Sequence, residues 1–315
     1  MTEWVLLVLA QGMVGLALAP FLLGVTRRVK SRLQYRQGPS VWQPYRDLAK
    51  LWRRRPVESE AASPLSDIVP VAVLAVMVLA VFLVPLVALR VPLSGVGDLL
   101  LVIGLLALVR FLLALGALDA GSAFGGMGAS REVAIAAVVE PALLLSLAVG
   151  VAAAGSTDLG VIASHGAALG LAGLTPAALL GAAAFAIVAV AETGHEPVDN
   201  PDTHLELTII HEGMLLEASG RRLAMLTYAA QLKLVVVVGL FSAVFLPFGA
   251  AATETLPALF VGMLAASLKL VVAAAALGVL DGSVAKLRIL VVPSLLGVAT
   301  LLALSALGAR LWLPA

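Results

Sequence analysis

The chain has 315 residues, of which 61% are hydrophobic and 12% charged, whereas a soluble domain has about 45–50% apolar and about 25% charged residues. That balance excludes an ordinary soluble enzyme and marks a polytopic membrane protein, with one bundle of spanning helices over 1–315 as the natural unit. A net charge of +1 excludes any global attraction to nucleic acid, and the absence of cysteine excludes a disulfide or a cysteine-ligated zinc or iron–sulfur cluster on this chain.

Apolar runs of the length that crosses a bilayer, about 20 residues at 1.5 Å each, fall at 4–26, 68–89, 98–118, 133–154, 175–192, 222–248, 256–280 and 288–309. They predict an all-α integral membrane fold, a bundle of about eight transmembrane helices. The first run is too long for a signal-peptide core and lacks a small-residue cleavage site, so it is read as retained. Lys and Arg gather in cytoplasmic loops. Ten of the twenty lie from Arg27 to Arg55; Arg131, Arg221, Arg222, Lys286 and Arg288 bring one side to fifteen, against Arg90 and Arg310 on the other. Both termini are therefore expected on the outer side, and the connections 27–65, 119–132 and 193–221 in the cytoplasm.

In the first connection, Trp42, Tyr45, Leu48, Ala49, Leu51 and Trp52 alternate with Arg46, Asp47, Lys50, Arg53, Arg54 and Arg55 at helical spacing. This predicts an amphipathic helix on the cytoplasmic membrane surface, suited to lipid headgroups or to a protein partner. Arg36-Gln37-Gly38-Pro39 before it reads as a turn. The second connection, Gly121 to Glu132, has four glycines but no Gly-Lys-Ser/Thr ending, so it is not a phosphate loop. It is expected to fold as a tight loop, with Ser130 capping a helix that starts near Arg131.

Four ionisable residues fall inside apolar runs: Arg110, Glu140 beside Pro141, Lys233 and Lys269. Each costs at least about 2.5–3.5 kcal/mol at membrane depth, so they are expected to pair with one another, to snorkel, or to carry protons. The third connection concentrates seven of the nineteen carboxylates and three of the four histidines between Ala191 and Gly220. Pro197 and Pro201 break any helix there, Asp199-Asn200-Pro201 reads as a turn, and a helical pattern restarts at Thr203. A metal site is disfavoured: His211-Glu212-Gly213-Met214-Leu215 lacks a second histidine four residues on, and His204 stands seven residues from His211. Carboxylates this dense titrate as a coupled set.

Ala191-Glu192-Thr193, Pro197-x-Asp199-x-Pro201 and Glu206-Leu207 resemble the acidic loop of the NADH dehydrogenase subunit 1 family of respiratory complex I. Val198-Asp199-Asn200-Pro201-x-Thr203-His204-Leu205-Glu206-Leu207-Thr208, with His211-Glu212 and Glu217-x-Ser219-Gly220, resembles its hydrogenase branch, the membrane subunits of formate hydrogenlyase and hydrogenase-4 type complexes. Arg36-Gln37-Gly38-Pro39, Gln43-Pro44, Asp47-x-x-Lys50-Leu51, Phe124-Gly125-Gly126-Met127-Gly128-x-Ser130-Arg131-Glu132 and Glu140-Pro141 match in the same order. His195 departs from the pattern, which usually has Arg or Lys there.

The resemblance implies a non-redox subunit in the inner membrane of a prokaryote that binds no cofactor itself. Its partners would be an iron–sulfur small subunit, a NiFe-hydrogenase-like large subunit and antiporter-like membrane subunits, with a quinone site left open by analogy to complex I. Arm docking would fall to Arg36, Gln37, Gly38, Pro39, Gln43, Pro44, Asp47, Lys50, Arg131, Glu132, His195 and His204. Proton coupling would fall to Glu192, Asp199, Glu206, Glu212 and Glu217 in the loop, and to Arg110, Glu140, Lys233 and Lys269 in the membrane. Two rival readings remain. A purely structural anchor would use the buried charges only for stability. A stand-alone transporter would be expected to show inverted repeats or paired broken helices, and the sequence shows neither.

Overall fold

The computed structural model describes residues 2–57, 62–93, 95–200 and 210–312. Eleven α-helices account for most of them, and the described residues contain no strand, only the isolated bridges Ala88 to Ala251 and Asp98 to Asp158. The first membrane helix is continuous over Glu3–Leu33. It comprises α1 (Thr2–Gly12), a π-helical turn (Met13–Ala17) and α2 (Leu18–Leu33). Then follow α3 (Gln43–Arg53), α4 (Leu65–Leu83), α5 (Leu99–Asp119), α6 (Ala123–Ala154), α7 (Leu159–Leu169), α8 (Pro176–Glu192), α9 (Gly220–Phe245), α10 (Leu256–Ser283) and α11 (Val292–Trp312).

Among the described residues seven helices are long and apolar enough to cross a membrane, and an eighth crossing arises if α7 and α8, bent by 117°, count as one span. At 17 residues, α8 is about 25 Å long, just enough to span alone. Helix α7 was not expected. It lies at the end of the bundle away from most Lys and Arg: Leu159 N–H donates to the Gly97 carbonyl (3.0 Å), and Asp158 pairs with Asp98. Trp4 Nε1 donates to the Pro92 carbonyl (2.8 Å), which puts the start of α1 at that far end too. The opposite, basic end holds α3 and residues 193–200 and 210–219.

Local chemistry explains the boundaries. Helix α4 stops at Leu83 rather than running to 89, because Pro85 forces the preceding Val84 into an extended conformation (φ −98°, ψ 131°). The backbone this frees is buried, and Gln11 satisfies it: its amide donates to the carbonyls of Val81 (2.9 Å) and Val84 (2.5 Å) and accepts from Val87 N–H (3.3 Å). Ser122, Asp98, Asp158 and Thr175 each cap a helix through the side-chain oxygen. The glycine-rich connection is accordingly much shorter than 119–132. Ser122 starts α6 at Ala123, and Ser130, inside that helix, donates back to the Met127 carbonyl. The glycines serve packing instead of a loop: a Cβ on Gly128 would come within 3.0 Å of the Ile210 carbonyl oxygen. The α3 helix forms as its spacing predicts, and the preceding turn falls at Gln34 to Arg36, where Tyr35 has φ 55°.

The core runs the length of the bundle, with α10 along α2 and α11 against α6 and α8. Phe185, Phe241 and Phe245 pack with their rings tilted and centroids 5.6–6.1 Å apart where α8 meets the last turns of α9. Segment 193–200 and the 3-10 turn Glu212–Leu215 do not form an exposed loop: Val198, Asp199, Ile210 and Met214 are buried. The stretch folds back into the basic end of the bundle, and polar side chains of five spans converge on it.

Candidate ion-coupling site

Arg110 is the hub. It sits nine residues before the end of α5, about 14 Å along the axis and thus near the middle of a hydrocarbon layer about 30 Å thick. Its guanidinium donates to Glu140 Oε1 on α6 (2.8 Å) and to Glu192 Oε2 at the end of α8 (2.6 Å). Lys233 on α9 lies 3.0 Å from Glu192 Oε1. Four spans therefore contribute two cations and two carboxylates whose charges cancel, which is what lets ionised groups persist in a medium that penalises any one alone. Glu192 is 2% exposed, whereas the Glu140 side chain is 39% exposed toward the outside of the bundle. Arg110 Nε and Glu192 Oε1 are buried and make no aligned hydrogen bond among the described residues.

A second cluster lies next to it. Asp199 is 2% exposed and takes N–H donors from Asn200 (2.9 Å), Ile210 (3.3 Å) and His211 (3.0 Å), along with the Lys286 ammonium (2.8 Å). Its Oδ2 also lies 3.2 Å from His211 Nδ1. Burial by itself would push this carboxyl up, but the imidazole and the Lys286 ammonium outweigh it and hold Asp199 well below the usual carboxylate range. On the other side of the ring, Nε2 lies 3.4 Å from Glu132 Oε2 of α6. Burial pulls the imidazole down, yet the negative charges of Glu132 and Asp199 prevail over it and over Lys233, so His211 holds its proton above the ordinary histidine value.

A third group ties the segment to α2 and α10. His195 Nδ1 lies 2.8 Å from Asp281 Oδ2, Glu196 N–H donates to Asp281 Oδ1 (3.1 Å), and Lys30 reaches Glu196 (3.3 Å).

Arg110, Glu140, Glu192 and Lys233, singled out from the sequence, come together, and Asp199 joins them through His211. Glu212 and Glu217 are exposed, with Glu212 at the mouth of a cavity of about 390 Å3 that is also lined by Arg27, Asp47, Thr227 and Gln231. Lys269 lies apart, near the far end, donating to Ser242 Oγ (2.9 Å) and to the Leu246 carbonyl (2.6 Å). Arg36, Gln37, Pro39 and Lys50 are exposed at the basic end, while Gly38, Gln43, Asp47 and Arg131 are half-buried and Pro44 is buried. Gln43 donates to Asp47 (2.8 Å), which also faces Arg27 at 3.9 Å. Glu132 and His195, expected on a docking surface, instead point into the bundle. Glu206 and His204 lie outside the described residues. Sequence reasoning missed His211 as a partner of Glu132 and Asp199, together with Lys286 and Asp281. His211 stands 12 positions from Asp199, and the other pairs, His211 with Glu132, Lys286 with Asp199 and Asp281 with His195, are separated by 79 to 87, so none leaves a periodic signal; among the described residues no group of three His or carboxylate side chains is arranged to hold a metal.

The fold and the site define an integral membrane subunit, a helical bundle that holds a branched network of ion pairs among its spans. The chain belongs to the NADH dehydrogenase family, whose profile matches residues 5–311. It is 36% identical to hydrogenase-4 component C of Escherichia coli (strain K12) over 91% of this chain and 90% of that one. It is also 36% identical to formate hydrogenlyase subunit 4 of the same organism, over 92% and 93%. The fold matches a chain of the membrane-bound sulfane sulfur reductase, an archaeal respiratory membrane complex, with TM-score 0.80 and 21% identity over 97% of this chain and all of that one.

Proposed function

We propose that this chain is the anchoring and ion-coupling subunit of a hydrogenase-type or formate hydrogenlyase-type membrane complex. On this reading it sits in the inner membrane of a prokaryote with both termini outside. It seats a peripheral arm, formed by an iron–sulfur small subunit and a NiFe-type large subunit, on α3 and on the inward-folded residues 193–200 and 210–215. It hands the consequence of electron transfer to antiporter-like neighbours as proton or sodium movement.

The observation that carries the reading is the Arg110, Glu140, Glu192 and Lys233 network. It begins under the acidic segment and ends at Glu140, which is half-exposed on the flank of the bundle where a neighbouring membrane chain would sit. A carboxylate facing lipid there would be costly. The relatives named above support the assembly, and the absence of cysteine fits a subunit whose electrons run elsewhere.

The test is Glu140→Gln and Glu192→Gln in the intact complex, in sealed vesicles. The ions moved per electron pair should collapse in both, while electrons still reach an artificial acceptor. Unchanged translocation in both would refute the coupling role and leave an anchor. A second reading, a subunit lining a quinone site, is favoured by the cavity under α3: Gln231, 5% exposed and facing it, has a carbonyl oxygen with no partner among the described residues. Quinone-dependent turnover sensitive to Gln231→Leu would select it.

A further inference from the structure

We propose that His211 is the proton relay between the aqueous basic end and the intramembrane network, exchanging its proton through Nε2 while Asp199 holds the ring. This rests on the coupling role proposed above and names a residue that role did not include. The two ring nitrogens have different surroundings. Nδ1 faces Asp199 Oδ2 at 3.2 Å, and that carboxylate is itself fixed by the backbone of Asn200, Ile210 and His211 and by Lys286. Such a carboxylate orients the imidazole and pins the proton on Nδ1, because a ring hydrogen bond selects the tautomer. Nε2 is left to exchange. It is buried, makes no hydrogen bond among the described residues, and lies 3.4 Å from Glu132 Oε2.

Buried polar atoms without partners are rare and call for a reason. Here Nε2 and Arg110 Nε lie on either side of Glu192, whose Oε1 faces Lys233 at 3.0 Å: the charge of His211 acts on Glu192, and Lys233 acts on both. The groups in contact with the ring are Asp199 from the 193–200 segment and Glu132 from α6, with Lys286 after α10 behind Asp199; the charges of Glu192 on α8 and Lys233 on α9 are near enough to act on it. The side chain keeps 26% of its surface exposed although Nε2 itself is buried, so the ring stands at the border between the aqueous end and the buried network. The step is balanced: the ring takes one proton at Nε2 and becomes imidazolium, a small turn of the ring carries Nε2 between the aqueous border and Glu132, and the same Nε2 returns one proton to the Glu132 carboxylate, Nδ1 keeping its own and no electrons moving. Carboxylates alone would do this poorly at neutral pH, whereas histidine accepts and releases there.

The experiment measures ions moved per electron pair by the intact complex in sealed vesicles, for His211→Gln and Glu132→Gln, with Glu192→Gln as the reference. Both variants should lower the ratio about a hundredfold, the low end for loss of a positioned proton-transfer group. The alkaline fall of the pH profile should vanish from the residual activity. Normal ratio and profile in His211→Gln, with Glu192→Gln inactive, would overturn the relay but spare the coupling role; normal ratios in all three would remove both. Should the variants fail to assemble, infrared difference spectra of the unaltered, [15N]histidine-labelled complex decide. An imidazole band must change on turnover, and its absence overturns the proposal.

Discussion

Glu192 shows what the membrane does to a side chain that would be unremarkable in water. Arg110 and Lys233 approach it from two helices, at 2.6 and 3.0 Å, and none of the three could remain charged alone at that depth. Removing one partner should therefore cost more than removing two. Lys233→Met should lower the stability of the detergent-solubilised complex by about 3–5 kcal/mol, the usual penalty for orphaning a buried charge. Adding Glu192→Gln should restore part of it, because Arg110 then balances Glu140. Thermal unfolding of the four members of this cycle checks the sign.

Asp199 and His211 give the basic end a defined pH window. His211 is raised above its unfolded value of 6.5, so its contribution to stability is complete below that pH and is lost as pH rises through the folded value. Asp199 is depressed below 3.8, so its contribution is complete above that pH and is lost as pH falls through the lower folded value. The segment should be most stable between these limits and loosen on the alkaline side. Proteolysis of 193–215 followed from pH 5 to pH 9 should show this rise, and His211→Gln should flatten it.

Among the elements, the first membrane helix is the most unusual, since its π-helical turn leaves carbonyls out of register. Two tyrosines from different elements occupy them: Tyr228 of α9 donates to the Leu16 carbonyl (2.9 Å), and Tyr45 of α3 donates to that of Ala17. The surface helix is thereby fastened to the bundle at a point where the spanning helix has backbone to offer. Tyr45→Phe should release α3 more than it lowers overall stability, at about 0.5–1.5 kcal/mol for the lost bond; spin-label mobility at Trp52→Cys would report it. Helix α4 depends on Gln11 in the same way. Gln11→Leu should destabilise the bundle by about 1–3 kcal/mol for each of the buried groups left unpaired, far more than an apolar swap of similar size elsewhere in α1. Unchanged melting of the Gln11→Leu protein would show that these backbone groups find other partners.

At the scale of the whole molecule, the alternation of spans puts α3, residues 193–200 and 210–219 and the start of α11 at one end, and Trp4, the Ala88 to Ala251 bridge and α7 at the other. The chain contains no cysteine, so single introduced thiols report sidedness without background. Ser40→Cys and Glu217→Cys should react with an impermeant reagent only in inverted vesicles, and Thr253→Cys only in right-side-out cells. The opposite pattern would invert the proposed orientation and with it the side on which an arm could dock.

The sequence by itself determined that the chain is helical and membrane-embedded, how many spans it has to within one, and where α3 lies. Each of these follows from local runs of apolar residues or from helical spacing, which neighbours in sequence suffice to express. It also marked Arg110, Glu140 and Lys233 as charges needing a reason, since their cost is a property of depth alone. Only the tertiary structure decided that Arg110 and Lys233 share Glu192, that Glu132 and His195 turn inward, and that Lys269 stands apart. Those outcomes depend on how α5, α6, α8, α9 and α10 are rotated and stacked. The 193–215 segment shows the difference most plainly. Its polarity read as a cytoplasmic connection, but its buried carboxylates Glu196 and Asp199 are satisfied by Lys30, His211 and Lys286, of which Lys30 and Lys286 stand 166 and 87 positions away, beyond any pattern in the sequence.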